Sequence, residues 1–199
     1  MISRVRGTLL VRGPDRVEIA TPGGVVYEIT VPLSVLQEIP PPPRDDFEII
    51  TLQVVREDSA TLFGFLRAEE RELFRRLMSA KGVGSTLAVS MLSTYSAHRL
   101  ARALVEKDVA ALTQVSGVGK KKAEFVILAL ADKVVDLAVG EPRGDGRSTS
   151  RAAREAVSAL VALGYGFADA DDAVRAAVGD DESSSADELI RRALGAKSG

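Results

Sequence analysis

The sequence contains one short motif twice, as Gly82-Val83-Gly84 and as Gly117-Val118-Gly119. Apolar residues at equal distances on both sides of the motif also agree. The matched positions are Leu77 with Leu112, Ala88 with Ala123, and Met91-Leu92 with Val126-Ile127. Because flanks and glycines agree together, we interpret the two segments as copies of one structural unit.

Each copy predicts a helix, a tight turn and a second helix. The first glycine suits the left-handed conformation that ends a helix, and the second lets the backbone approach another group closely. The central valine should pack inward, and the alanine one turn later lets two helices cross at short range. This is the helix-hairpin-helix pattern. Its turn presents unpaired amide N–H groups at the positive end of a helix, which is an arrangement that captures phosphate.

The second copy is followed directly by Lys120-Lys121-Lys122. Lysine at a helix N-terminus opposes the helix dipole by about 0.3–1 kcal/mol, so a bound phosphate would account for three in a row. The alternative is a solvated lysine run, which the duplication of the motif makes less favoured. The first copy offers Lys81 before the turn and Ser85-Thr86 after it. These hydroxyls can cap the helix or contact phosphate, and both roles stay open.

Composition excludes several kinds of chemistry. The chain has 199 residues and no cysteine, which removes disulfides and thiolate ligands, and its single histidine, His98, argues against zinc. We therefore expect no cofactor and no metal. Residues 1–6 open directly into a strand-like pattern, with neither a signal peptide nor an apolar run of membrane-spanning length. We expect a cytoplasmic protein with no membrane partner.

Charge is distributed unevenly along the chain. The formal net charge is −2, yet residues 67–136 carry 12 Lys and Arg against 8 Asp and Glu. Residues 1–66 carry 6 against 9, and residues 137–199 carry 8 against 11. The basic excess therefore coincides with the two repeated motifs, as expected for a surface that meets nucleic acid.

Residues 1–66 predict a small β-barrel. Alternating apolar residues and turn signals mark strands, which include Val5 to Val11, Val17 to Ile19, Val25 to Val31, Phe47 to Val55 and Thr61 to Phe65. About five strands, with Gly7 free to bend the first, suit a closed OB-type barrel that is too small for an internal ligand.

The rest of the chain predicts three further regions. Residues 67–136 should form a helical domain with the two hairpins, including one uninterrupted helix from Lys120 to Asp136. Residues 137–150 contain a charged Gly/Pro/Ser-rich stretch and predict a flexible linker. Residues 151–199 should form a small module of three helices in which Gly164 stops the first helix. The predicted fold class is thus an N-terminal five-stranded barrel, a central tandem helix-hairpin-helix domain and a C-terminal three-helix module.

An acidic pair, Glu57-Asp58, lies between the last two predicted strands. Charged residues at a hairpin tip are usually a solvated turn. If the neighbouring domain binds phosphates, however, two projecting carboxylates would repel a nearby nucleic-acid backbone. The pair would then influence which DNA can bind.

Taken together, these motifs resemble the RuvA family, which binds Holliday junctions in bacteria. The resemblance covers all three predicted domains in order. It is carried by Val54 to Asp58 with Leu62 to Phe65, by both Gly-Val-Gly turns, by Lys120 to Glu124, and by Glu155 to Val157 with Ala159 to Tyr165.

The resemblance implies a non-catalytic homotetramer that holds a four-way junction open, and that a second tetramer can close into an octamer. Its hairpins would bind DNA phosphates, Glu57 and Asp58 would form an acidic pin at the crossover, and the C-terminal module would bind the hexameric RuvB ATPase. A RuvC-type junction resolvase is a further implied partner. The implied DNA-binding residues are Lys81, Gly82, Val83, Gly84, Ser85, Thr86, Gly117, Val118, Gly119, Lys120, Lys121 and Lys122, and the motor-binding residues are Leu160, Leu163, Gly164 and Tyr165.

Three positions depart from the family pattern. Ser116 replaces a common proline before the second turn, so that turn loses some rigidity. Thr86 and Phe125 stand where basic residues are common, which puts two side-chain phosphate contacts in doubt.

Two other functions remain alternatives. Helix-hairpin-helix base-excision glycosylases pair a hairpin lysine with a downstream aspartate, and Lys121 with Asp136 could mimic that pair. A single long helix would, however, hold the two side chains several turns apart, and no second helical lobe is evident. A single-strand binder acting through the barrel is disfavoured by few aromatics and an acidic balance. No P-loop is present, so we expect no ATP hydrolysis by this chain.

Overall fold

The computed structural model describes residues 1–139, 151–178 and 184–197. The chain divides into two compact units. One comprises Met1–Ala97 with Gln114–Gly117, and the other comprises His98–Thr113 with Val118–Gly199. Most of the predicted linker, from residue 140 to residue 150, lies outside the described residues.

The N-terminal region is a closed five-stranded barrel, which confirms the predicted fold class. Its strand order is β1-β2-β3-β5-β4, and all neighbours are antiparallel except β3 and β5, which pair in parallel at Thr30 and Phe63. A short helix, α1, connects β3 to β4. The elements are β1 (Arg4–Arg12), β2 (Arg16–Ala20), β3 (Val26–Thr30), α1 (Leu33–Glu38), β4 (Arg44–Val55) and β5 (Ala60–Phe65).

Alternation along the strands fills the barrel interior. Side chains at every second position point inward, and the inward set is almost fully buried. This set includes Val5, Leu9, Val17, Ile19, Ile29 and Ile49.

Gly7 allows the barrel to close tightly. The pairing of β1 with β4 shifts register between Gly7 and Leu9. A Cβ atom at Gly7 would lie 2.0 Å from the carbonyl oxygen of Ala20 on β2. The glycine was expected to bend the strand. The structure adds that it makes room for a neighbouring backbone.

All described elements beyond residue 66 are helical. They are α2 (Ala68–Ser79), α3 (Ser85–Thr94), α4 (Ala97–Val105), α5 (Val109–Thr113), α6 (Lys120–Leu130), a 3-10 turn (Ala131–Lys133), α7 (Val135–Ala138), α8 (Arg151–Ala162), α9 (Phe167–Val178) and α10 (Ala186–Lys197). None of the described helices is long and apolar enough to cross a lipid bilayer.

The predicted single helix from Lys120 to Asp136 is wrong. Helix α6 ends at Leu130, and after the 3-10 turn the backbone at Val134 has φ −123° and ψ 12°. The break precedes two β-branched residues, Val134 and Val135, whose side chains lower helix propensity.

Local signals explain several helix ends. The Glu70 carboxylate accepts hydrogen bonds from the Leu66 and Arg67 amides, both at 2.9 Å, and so caps α2. The Asp108 carboxylate accepts one from the Ala111 amide at 2.9 Å and caps α5.

The predicted stop at Gly164 is confirmed. This residue has φ +97°. Its amide donates to the Val161 carbonyl at 2.9 Å, and the Tyr165 amide donates to the Leu160 carbonyl at 3.1 Å. This pair of bonds is a Schellman motif, which satisfies the last carbonyls of α8.

Aromatic packing joins the barrel to α2. The ring of Phe74 on α2 lies 4.9 Å from the ring of Phe63 and 5.3 Å from that of Phe65, both on β5. Helix α1 holds α3 in turn, because the Ser34 hydroxyl donates to the Leu92 carbonyl at 2.6 Å. The first helix-hairpin-helix is therefore fixed to the barrel by both of its helices.

Replacing Gly7 with alanine should destabilise the barrel. The new methyl group would collide with the Ala20 backbone, which cannot rotate away as a side chain can, so we expect the free energy of unfolding to fall by about 1–3 kcal/mol or more. Gly23→Ala is the matched control, since a Cβ there meets nothing within 4 Å. Denaturant unfolding of both variants checks this. Equal unfolding midpoints for the two would contradict it.

Candidate nucleic-acid interface

The two Gly-Val-Gly turns have the same backbone conformation. Gly82 and Gly117 both have φ +82°, as predicted for the first glycine of each motif. Gly84 has φ −88° and ψ 174°, and Gly119 has φ −83° and ψ 168°. The sequence repeat is therefore a structural repeat.

The left-handed glycine has a different role in the first copy from the expected one. Helix α2 ends at Ser79, and Ala80 is already extended. The Val83 amide then donates to the Ala80 carbonyl at 3.1 Å, so Gly82 is the third residue of a four-residue turn. A positive φ at that position defines a type II turn, which strongly favours glycine.

The repeated apolar residues are buried in both copies. Val83 and Val118 are each 5% exposed, so only their main chains can face a ligand. Ala88 and Ala123 are fully buried, which confirms the predicted small residue one turn into the second helix.

The amides after each turn remain available to an anion. Gly84 and Gly119 are the N-caps of α3 and α6, and neither helix has a side-chain cap. The first helical bonds are donated by Ala88 and Ala123 to the two glycine carbonyls. The preceding amides of each helix therefore lack intrahelical acceptors, and they lie at the positive end of the helix dipole.

The lysines beside the turns are exposed. The side chains of Lys81, Lys120 and Lys121 form no ion pair or hydrogen bond with the residues that the structure describes. Lys122 is exposed as well. Three arginines of the helical region differ, because they form ion pairs within their own helices. Arg75 and Arg76 pair with Glu72, and Arg102 pairs with Glu106.

The departures from the family pattern lie at the surface. Thr86 is exposed, and Phe125 on α6 is 45% exposed. The Ser116 carbonyl accepts a hydrogen bond of 3.4 Å from the Ser90 hydroxyl on α3. That hydrogen bond connects the second turn to α3, whereas a proline would have restricted the backbone of the turn.

The acidic pair lies at the tip of the β4–β5 hairpin. The Arg56 amide donates to the Ser59 carbonyl at 2.8 Å and closes the turn that carries Glu57 and Asp58. Both carboxylates are exposed, and neither pairs with a cation in the described part of the chain. Their negative charge is therefore fully presented at the tip.

Arg56, directly before the acidic pair, makes a contact that no sequence motif indicated. Its guanidinium donates a 3.2 Å hydrogen bond to the Ser85 hydroxyl, at the first residue of α3. Ser85 therefore neither caps its helix nor stands free. An arginine directly before the acidic pair was the only signal for this contact in the sequence.

The C-terminal corner presents two exposed apolar side chains. Leu163 is 66% exposed and Tyr165 is 38% exposed, next to Gly164. Leu160 is 2% exposed and belongs to the core of the module. Of the four residues assigned to motor binding, Leu160 therefore supports the fold rather than the surface.

The fold and site define a multidomain protein that joins an OB-type barrel to tandem helix-hairpin-helix turns suited to phosphate. Residues 1–64 match the family model of the RuvA N-terminal domain, residues 74–132 match a SAM-like helix-hairpin-helix tandem, and residues 151–196 match the RuvA C-terminal domain. The chain is 47% identical to a protein of Gemmatimonas aurantiaca named Holliday junction branch migration complex subunit RuvA, over 98% of this chain and 97% of that protein. Proteins of the same name from Enterobacter sp. and Pseudomonas paraeruginosa are each 39% identical, over 98% of both chains. The chain belongs to the RuvA family.

Family membership leaves the glycosylase alternative without support. One argument against that alternative rested on an unbroken helix from Lys121 to Asp136, and the structure has removed it. The assignment now rests on the three matching domains instead.

The two glycines of the second turn should respond differently to alanine. Gly117→Ala forces a left-handed backbone on an L-residue and should lower the free energy of unfolding by about 1–2 kcal/mol. Gly119→Ala meets nothing within 4 Å and makes a slightly poorer N-cap, so it should cost only about 0.5 kcal/mol. Urea unfolding, monitored by circular dichroism, gives the free energy of unfolding of each variant. The reverse order would show that φ does not determine the glycine requirement.

Proposed function

We propose that this chain binds four-way (Holliday) junction DNA as a non-catalytic homotetramer and recruits a hexameric RuvB-type ATPase that drives branch migration. The observation that carries the proposal is the pair of identical turns, each ending in uncapped helix amides beside uncompensated lysines. The relatives' shared name supports the junction as the DNA and a branch-migration complex as the setting. The protein would act in the cytoplasm, in recombination and DNA repair.

Each turn would hold the DNA backbone through its main chain. A phosphate at the N-terminus of α3 or α6 meets amides that have no acceptor within their own helix, together with a favourable helix dipole. Lys120 and Lys121 add charge at the second turn, and Lys81 adds it at the first. Such contacts read the backbone and not the bases. This suits a protein that must bind junctions of any sequence.

The acidic tip would provide selectivity for junctions. With fourfold symmetry, Glu57 and Asp58 of every subunit would meet at one centre, where the strands of a junction part. Linear duplex lying across that centre would place its phosphates against these carboxylates. Repulsion there penalises the wrong DNA more than the right one.

The C-terminal module would contact the motor. Leu163 and Tyr165 present apolar surface beside the Schellman turn, and contact with another protein would bury that surface. A second tetramer over the open face, giving an octamer, and a RuvC-type resolvase would be additional partners of the same complex.

Removing the second-turn lysines should weaken junction binding and flatten its salt dependence. Each lost phosphate contact reduces the slope of log K against log salt by about 0.9, so Lys120→Ala, Lys121→Ala and Lys122→Ala combined should reduce it by up to about 2.7. Fluorescence anisotropy with a four-way junction at several salt concentrations measures the slope.

The matched control compares single lysines. Lys133→Ala removes an exposed lysine from the same unit, beyond the end of α6, and should leave the slope unchanged. Lys120→Ala should reduce it. A triple variant that is folded and keeps the full slope would place these lysines on a solvated face and remove the support for phosphate capture.

Neutralising the acidic tip should relax selectivity. Glu57→Gln with Asp58→Asn should strengthen linear-duplex binding relative to junction binding, because the repulsion falls mainly on duplex. The ratio of the two affinities is measured at fixed low salt, where screening is weakest.

A control separates local from overall charge. Glu18 and Glu28 face each other across β2 and β3. Glu18→Gln with Glu28→Gln changes the net charge by the same amount as the tip variant and leaves the tip itself unaltered. We expect this pair to leave the ratio unchanged. If the tip variant also leaves it unchanged, the acidic pair is only a polar turn.

A further inference from the structure

The acidic tip stands on a ribbon that extends beyond the barrel. Strand β4 pairs with β1 up to Ile50 and bonds to the preceding residues Ile2 and Ser3 only as far as Gln53, and β5 pairs with β3 at Phe63. The last rungs of the ribbon, Val54 with Thr61 and Val55 with Ala60, have no third strand beside them. Two-stranded ribbons are marginally stable and twist readily, so the tip needs another restraint to hold a fixed position.

One side chain supplies such a restraint. The Arg56 guanidinium donates a 3.2 Å hydrogen bond to the Ser85 hydroxyl. It is the one side-chain hydrogen bond by which residues 54–61 reach beyond the ribbon, among the residues that the structure describes. The Ser59 hydroxyl stays within the tip, where it donates to Asp58 at 3.2 Å.

The acceptor is fixed. Ser85 is 8% exposed and directly follows Gly84 of the first phosphate-binding turn. At its other end α3 is held to α1, because the Leu33 amide donates to the Ser93 hydroxyl at 2.9 Å and the Ser34 hydroxyl donates to the Leu92 carbonyl at 2.6 Å. The bond therefore connects a pliable ribbon to an immobilised helix.

Two further features of Arg56 bear on its role, the cavity beside it and its positive charge. It borders a cavity of about 380 Å³ whose lining includes Asp15, Ser59, Thr61, Ser85 and Thr86. No carboxylate among the described residues pairs with its guanidinium. A direct phosphate contact by Arg56 is thus the rival explanation. The Asp15 carboxylate in the same lining opposes an anion there.

We propose that Arg56 is a positioning residue that holds the acidic tip at a fixed distance from the first phosphate-binding turn. This inference rests on the proposed function. It adds the residue that fixes the acidic tip relative to the first phosphate-binding turn. A DNA strand gripped at Gly82-Val83-Gly84 then meets the carboxylates at a defined place. Without the bond, the tip samples a range of positions and its repulsion discriminates less between junction and duplex.

A double-mutant cycle tests the coupling. Arg56→Ala and Ser85→Ala should each lower the junction-to-duplex affinity ratio by about two- to tenfold, which is the range for one hydrogen bond. The double variant should lower it no further than the larger single effect. Thr61→Ala, on the same ribbon and cavity but without this bond, is the control, and its effect should add to that of Ser85→Ala. Additive effects of Arg56→Ala and Ser85→Ala would overturn the proposal.

Salt dependence separates positioning from direct contact. A positioning residue leaves the slope of log K against log salt for junction binding unchanged in Arg56→Ala, whereas a phosphate contact reduces it by about 0.9. A reduced slope would assign Arg56 to the DNA grip and overturn the positioning role.

A distance measurement needs no DNA. The chain has no cysteine, so nitroxide labels attach only at Ser59→Cys on the ribbon and Thr94→Cys at the end of α3. With labelled subunits diluted in unlabelled protein, pulsed EPR should give a narrow distance distribution. Arg56→Ala and Ser85→Ala should broaden it, and unchanged widths would overturn the proposal. This result stands even if the protein shows no junction preference, so the two proposals can fail separately.

Discussion

The packing of Phe74 against Phe63 and Phe65 is the interaction on which the arrangement of the first unit depends. It packs α2 against β5, the strand that follows the acidic tip in the β4–β5 hairpin. Because aromatic rings bury large areas and cores are close-packed, this contact leaves little freedom of orientation. The acidic tip and the first Gly-Val-Gly turn thereby belong to one compact unit.

In the part of the chain that the structure describes, charged side chains without an ion-pair partner occur both at the turns and at the acidic tip. Arg75, Arg76 and Arg102 are paired within their helices. Among the described residues, no ion pair is formed by Lys81, Lys120 and Lys121 at the turns or by the carboxylates of Glu57 and Asp58 at the tip. Lysines at a helix N-terminus weaken the isolated helix, and bound phosphate would offset that cost. Positive charge at the turns would attract a DNA backbone, and negative charge at the tip would repel it.

The departures from the family pattern change side chains but preserve the backbone of the turns. Gly82 and Gly117 share one φ value although Ser116 replaces a proline, and the amides after each turn remain uncapped. Backbone capture depends on turn geometry, which glycine fixes. The exposed Phe125 and Thr86 therefore lack the positive charge of the family pattern without altering the backbone of either turn.

The sequence alone determined the repeat, the buried valines and alanines, the left-handed glycines and the five-stranded barrel, because each follows from local periodicity or from backbone conformations open chiefly to glycine. It was wrong about the length of α6, which ends at Leu130 before the β-branched pair Val134-Val135. It also did not show that Gly82 lies in a type II turn closed by a bond from Val83 to Ala80. The close approach of Gly7 to Ala20 depends on the neighbouring strand, which local pattern does not place. The bond from Arg56 to Ser85 joins residues that only tertiary packing brings together, since a hydrogen bond requires a separation of about 3 Å that sequence spacing does not encode.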